Sequence, residues 1–74
     1  MALAENIKRL REMHGLTQEE LAAHAKVTRE AIYKYEVGKM IPNVVTAVDI
    51  AEKLGVTCEE LVRGSQTKSE LLEN

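Results

Sequence analysis

Apolar residues recur along this chain at the three-to-four-residue spacing of helices that bury one face, and short polar or glycine-marked stops separate the runs. Leu3, Ile7 and Leu10 share one side of a first helix predicted over residues 3–13, with Lys8, Arg9 and Glu12 opposite. His14-Gly15 is its stop, with Gly15 suited to the left-handed position past a helix end. Thr17-Gln18-Glu19-Glu20 is a capping-box sequence: the Thr17 hydroxyl can accept from the Glu20 amide, and the Glu20 side chain can reach back to the amide of Thr17. It opens a second helix carrying Leu21, Ala22 and Ala25 inward. Ala25-Lys26-Val27 leaves that helix, and Thr28 caps a third. There Ala31, Ile32 and Tyr35 turn inward, while Thr28, Arg29, Glu30, Tyr33 and Lys34 stay outside; Gly38 closes it.

The only proline, Pro42, disfavours helical geometry at Ile41, and Asn43 is a good cap for a fourth helix. Its expected inner stripe is Val44, Ala47, Val48, Ala51 and Leu54, and Gly55 ends it. Thr57-Cys58-Glu59-Glu60 repeats the capping box and opens a short fifth helix through Leu61 and Val62. The pattern predicts an all-α fold of five helices, with residues 1–63 as one domain. Residues 64–74, small and polar until Leu71-Leu72, read as a flexible tail.

Composition narrows this picture. The chain has 74 residues, no Phe or Trp and 3% aromatics, so the core must be built from Leu, Ile, Val and Ala. A core this small stabilises a domain only marginally, which favours oligomerisation. No apolar run is long enough to span a bilayer and the start lacks a signal-peptide core, so a soluble, cytoplasmic protein is expected. Cys58 is the only cysteine, which rules out an internal disulfide framework, and His14 and His24 are not spaced as metal ligands with it. His14, near a helix C-terminus, reads as a solvated partner of the helix dipole. A helix N-terminus can lower a thiol pKa, but Cys58 has no nearby histidine, and a buried cysteine is the commoner case. No convergent set of acid, base and nucleophile emerges; no enzyme, cofactor or metal is expected.

Two short helices joined by a three-residue turn, the second with a polar and partly basic outer face, have the geometry of a helix-turn-helix that reads DNA. Ala22 and Ala25 supply the small side chains such a crossing needs. The matching residues are Leu16-Thr17-Gln18-Glu19-Glu20-Leu21-Ala22, Val27-Thr28-Arg29, Ile32, Glu36, Gly38, Pro42, Ala51, Leu54-Gly55-Val56 and Leu61. On these the chain resembles the phage-repressor helix-turn-helix family (Cro and lambda-type repressors, XRE-like regulators), from about residue 7 to residue 62. One departure is Lys26, where the family usually has glycine. A non-glycine residue at positive φ costs roughly 1 kcal/mol, so a strained turn is expected, not a different fold.

The resemblance implies a compact lambda-repressor-like domain with helices 2 and 3 as the helix-turn-helix. It pairs Arg11 with Glu36 as a structural ion pair, gives Gln18 and Thr28 a role in holding the DNA backbone, and implies a homodimer on two-fold-related half-sites. It also implies a transcriptional regulator, in the repressor sense, acting through double-stranded operator DNA.

The net charge of −2 argues against coating nucleic acid by bulk positive charge. Distribution is more telling. Between residues 26 and 39 stand Lys26, Arg29, Lys34 and Lys39 against Glu30 and Glu36, so a Glu36 consumed by Arg11 leaves a basic face. Acidic residues gather elsewhere, with Glu19, Glu20, Glu59 and Glu60 in first helical turns, where they favour the dipole. On the reading helix, Arg29 can donate a fork of bonds to guanine O6 and N7. Glu30 can accept from a cytosine amino group or pair with Lys26 or Lys34. Lys34 can reach a guanine or a phosphate, and Tyr33 a thymine methyl or a phosphate. Gln18, at a helix N-terminus, and Lys39 and Asn43, near the loop after the reading helix, are phosphate candidates. Tyr35 belongs to the core.

Candidate contacts between copies are Ile41, Val44, Val45, Leu61, Val62, Leu71 and Leu72, with Val45 already off the expected stripe of its helix. The rival reading is an antitoxin-like or otherwise partner-dependent helix-turn-helix, a protein-interaction module that needs a separate protein partner. A stand-alone regulator binds its operator without help.

Overall fold

Side-chain caps start four of the five helices, and they do so from sequence-local contacts. The computed structural model describes residues 2–64, with helices α1 (Ala2–Met13), α2 (Gln18–Ala25), α3 (Arg29–Glu36), α4 (Val44–Leu54) and α5 (Cys58–Arg63). Thr17 Oγ1 accepts from the Glu20 amide at 3.0 Å, and Glu20 Oε1 accepts from the Thr17 amide at 2.8 Å. Thr57 and Glu60 repeat this at 3.0 and 2.9 Å. Thr28 Oγ1 accepts from Ala31, and Asn43 Oδ1 from Thr46, at 3.1 and 2.8 Å. Each cap satisfies an amide the helix itself leaves orphaned, a contribution of about 1 kcal/mol.

Gly15 and Gly55 follow α1 and α4 at φ 68° and 72°. After α2 the same position falls to Lys26, at φ 61° and ψ 39°, the one non-glycine residue with positive φ among those described. The turn closes normally, with the Val27 amide donating to Ala22 O at 3.0 Å. The unusual residue therefore strains the backbone without remodelling it. Lys26→Gly should stabilise the domain by up to about 1 kcal/mol, roughly 4–8 °C in Tm for this size. Thermal melting checks this; an unchanged or lower Tm would show that the lysine side chain contributes more than its backbone costs.

The helices pack together so that α2 lies on α3 and α4, α1 lies on α3 and α5, and α4 meets α5. Ile7, Leu21, Ile32, Ile50, Leu54 and Leu61 are fully buried at its centre, with Leu10, Ala22, Ala25 and Tyr35 around them. Ala22 and Ala25 let α2 and α3 approach closely, and Ile32 and Tyr35 anchor α3 from within.

The face of α4 differs from expectation. Val44 and Val48 are 79% and 46% exposed, whereas Ile50, Ala51 and Leu54 are buried with Thr46, and Ala47 is half-buried. Ala47, Ala51 and Leu54 of the expected stripe do turn inward, and the larger Ile50, three residues past Ala47 and four before Leu54, joins them on the flank away from Val44 and Val48. Leu61, considered above for contacts between copies, is core. A further tie escaped the sequence pattern: Asn6 is buried, and its Nδ2 donates to Leu61 O at 2.8 Å, fastening α1 to α5. The readings on residues 65–74, including Leu71 and Leu72, lie outside the described residues.

Candidate nucleic-acid interface

The outer face of α3 is displayed by what its inner face buries. With Ile32 and Tyr35 in the core, helical geometry turns Arg29, Glu30 and Tyr33 outward together, and all three are exposed. They line one open depression. Lys34 is half-buried beside them, its Nζ 3.6 Å from Glu30 Oε2. Such a solvated i,i+4 pair holds its partners weakly and leaves both available to a ligand.

Beneath this face, α1, α2 and α3 are joined by one polar network. Arg11 Nε donates to Glu36 Oε2 at 2.6 Å, and Arg11 Nη2 to Glu36 Oε1 at 3.2 Å. Arg11 Nη1 donates to Leu16 O at 2.7 Å. The two side chains are only 12% and 3% exposed, so this is a desolvated pair, fully hydrogen-bonded. Hydrogen bonding to Glu36, opposed by desolvation and reinforced by the carboxylate's charge, holds the Arg11 guanidinium above its ordinary range. Because Arg11 neutralises Glu36 inside the protein, the acid contributes little to the outer face. Lys26, Arg29, Lys34 and Lys39 then face only Glu30 along this stretch.

Gln18 extends the network. Its Nε2 donates to Glu36 Oε1 at 3.0 Å, and its Oε1 accepts from Arg29 Nη1 at 3.4 Å. Both ends of the amide are thus engaged, a link that sequence spacing does not reveal. Thr28 is exposed, with its oxygen occupied as the α3 cap. Lys39 and Asn43 lie in the loop between α3 and α4 and are exposed; Asn43 uses Oδ1 to cap α4. The structure thus unites Gln18 with Arg29, and groups Arg29, Glu30, Tyr33 and Lys34 on one helix. Lys39 and Asn43 come from a separate segment.

Among the described residues no group of His, Cys, Asp and Glu is arranged to hold a metal ion, and no helix is long and apolar enough to cross a membrane. Cys58 is half-buried and packs against the core.

Comparison with known proteins agrees with this architecture. The helix-turn-helix family model matches residues 7–61. The chain is 39% identical over 66 residues to the HTH-type transcriptional activator BcrR of Enterococcus faecalis, an overlap of 89% of this chain and 32% of BcrR. It therefore spans about a third of that relative's length. It is 38% identical over 60 residues to the uncharacterized HTH-type transcriptional regulator y4dJ of Sinorhizobium fredii, covering 81% of this chain and 78% of y4dJ. In fold it matches the P22 c2 repressor, solved in complex with a synthetic operator, at a TM-score of 0.83 and 22% identity over 88% of this chain and 98% of the other. The capped helix pair, the buried core beneath it and these relationships lead to one conclusion: the chain belongs to the helix-turn-helix family of DNA-binding transcriptional regulators, in its Cro and lambda-repressor, XRE-like branch.

Proposed function

We propose that this chain represses transcription by binding a two-fold-related operator as a homodimer, with α3 of each copy in the major groove. The observation that carries the reading is the exposed N-terminal half of α3, where Arg29, Glu30 and Tyr33 stand together above a neutralised Glu36. In a helix-turn-helix those N-terminal residues meet the base edges. Arg29 donates to guanine O6 and N7, Glu30 accepts from a cytosine amino group, and Tyr33 packs on a thymine methyl. Lys34, Thr28, Lys39 and the Asn43 amide hold phosphates and set the register.

A net charge of −2 limits what one copy gains from phosphates, and two copies side by side compensate. The apolar stripe Ile41, Val44, Val45 and Val48, 46–79% exposed, offers a surface for the second copy. The protein acts in the cytoplasm, where its DNA is.

Selection of bound duplexes from a random pool, followed by titration at two salt concentrations, tests the reading. An enriched inverted repeat with half-site centres about one helical turn apart is expected, with a salt slope that reports the phosphate contacts. No enrichment by the protein alone would replace it with the partner-dependent, antitoxin-like reading. On the enriched duplex, Arg29→Ala should lose about 1–3 kcal/mol of discrimination at one base pair per half-site. Full retention of specificity would remove Arg29 from the readout.

A further inference from the structure

Among the described residues the backbone takes a positive φ at Gly15, Gly38, Gly55 and Gly64, where glycine adopts it freely, and at one further position that is not glycine. That position is Lys26, at φ 61°, in the turn that joins α2 to α3. Its side chain crowds the backbone there, and the surrounding bonds leave it no other conformation. The Lys26 amide donates to Ala23 O at 3.4 Å, the Val27 amide donates to Ala22 O at 3.0 Å, and Val27 packs against the core. Strain that its surroundings hold in place is characteristic of residues kept for function.

Contacts inside the domain do not account for the lysine. Ala25 before it is buried and Val27 after it is half-buried, whereas Lys26 is exposed. No hydrogen bond or ion pair engages its ammonium among the described residues. Glu30, the acid nearest to it in the chain, lies instead 3.6 Å from Lys34. The one internal service open to Lys26 is to set positive charge at the C-terminal end of α2, where the helix dipole favours a cation. An exposed position screens that effect.

Lys26 stands two residues before Thr28, the cap of α3, and three before Arg29. With α3 in the major groove, the turn that leads into it comes up to the groove's edge, where the phosphates are. An ammonium on a flexible stem is a point charge suited to a phosphate, and it lacks the planar fork that reads guanine. We infer that Lys26 grips the DNA phosphate backbone from the α2–α3 turn, and that the strained turn is kept for this contact. The inference rests on α3 docking in the major groove, as proposed above.

Three substitutions separate strain from charge. Lys26→Gly removes both, Lys26→Met removes the charge and keeps the strain, and Lys26→Arg keeps both. Each variant is melted thermally and titrated, at several salt concentrations, against the duplex enriched by the wild-type chain and against its single-base variants.

Lys26→Gly should melt above the wild type yet bind roughly three- to tenfold more weakly, by the same factor on every duplex. Lys26→Met should lose as much binding with no gain in melting temperature, and Lys26→Arg should bind as the wild type does. In both weakened variants the salt slope should fall by about one per copy, the mark of a lost phosphate contact. Wild-type affinity and slope in Lys26→Gly and Lys26→Met overturn the inference and leave the lysine to the α2 dipole. A loss in Lys26→Gly alone also overturns it, since turn geometry and not charge then governs binding. A loss confined to one base pair overturns it as well, by making Lys26 a reader of sequence. Failure of the wild-type chain to enrich any duplex overturns the docking of α3 itself, so the two failures are distinguishable.

Discussion

Arg11→Met should destabilise the domain by roughly 3–5 kcal/mol, as removal of one partner from a buried ion pair typically does. The variant strands Glu36, whose side chain is 3% exposed, with Gln18 as its remaining donor. It also removes the donor to Leu16 O, which ties the end of α1 to the approach to α2. A domain of this size commonly has only about 5 kcal/mol in total, so much of the variant should be unfolded at 37 °C. Replacing both partners, Arg11→Met with Glu36→Leu, should recover a large part of the loss, because an apolar pair of similar volume has no charge to desolvate. Urea denaturation of the two singles and the double measures this; a cost below about 1 kcal/mol for Arg11→Met would place the pair with ordinary surface bridges.

The pH dependence of this effect has a definite sign. The folded pKa of Arg11 is raised by Glu36, so its contribution is complete below the unfolded value and is lost only as pH rises through the still higher folded one. The Arg11 contribution to the gap between wild type and variant should therefore stay flat between about pH 7 and pH 10.

The second large effect lies in α4. Ile50→Ala should cost about 2–5 kcal/mol, since it empties a fully buried site among Ile7, Leu21 and Leu54. Val44→Ala, six residues earlier on the same helix and 79% exposed, should change folding stability by no more than about 0.5 kcal/mol in either direction. Paired denaturation curves decide it. Equal costs at the two positions would return the valines to the core.

These two residues also show what sequence patterning can and cannot decide. Helix starts were legible because their chemistry is local: Thr17 needs only Glu20, Thr28 only the Ala31 amide, and Thr57 only Glu60. The core face of α4 was legible only in part: Ala51 and Leu54 are buried as their spacing indicates, but Ile50 on one flank and Val44 and Val48 on the other keep equally good helical spacing with them. Only packing against the other helices separates two such stripes. Asn6 carries a signal of its own: it lies one residue from Ile7, three from Leu3 and four from Leu10, and a polar group on that apolar face requires a partner. The partner, Leu61 O, is 55 residues away and could not be named in advance.

The outward residues of α3 followed from helical spacing, since any helix that buries Ile32 and Tyr35 must show Arg29, Glu30 and Tyr33. The pairing of Arg11 with Glu36 came from resemblance, not periodicity. Gln18 could be singled out, but its attachment to both Glu36 and Arg29 depends on how α2 crosses α3, which no local pattern records.

The bond from Asn6 to Leu61 reaches beyond stability. It fastens the opening turns of the first helix to the last helix described, so the two extremities of the folded unit lie side by side. A unit of this kind can be spliced into a longer polypeptide, or joined to neighbours at either extremity, without parting its interior. Such a capped bundle can be carried in polypeptides of different length with its α2–α3 surface left intact.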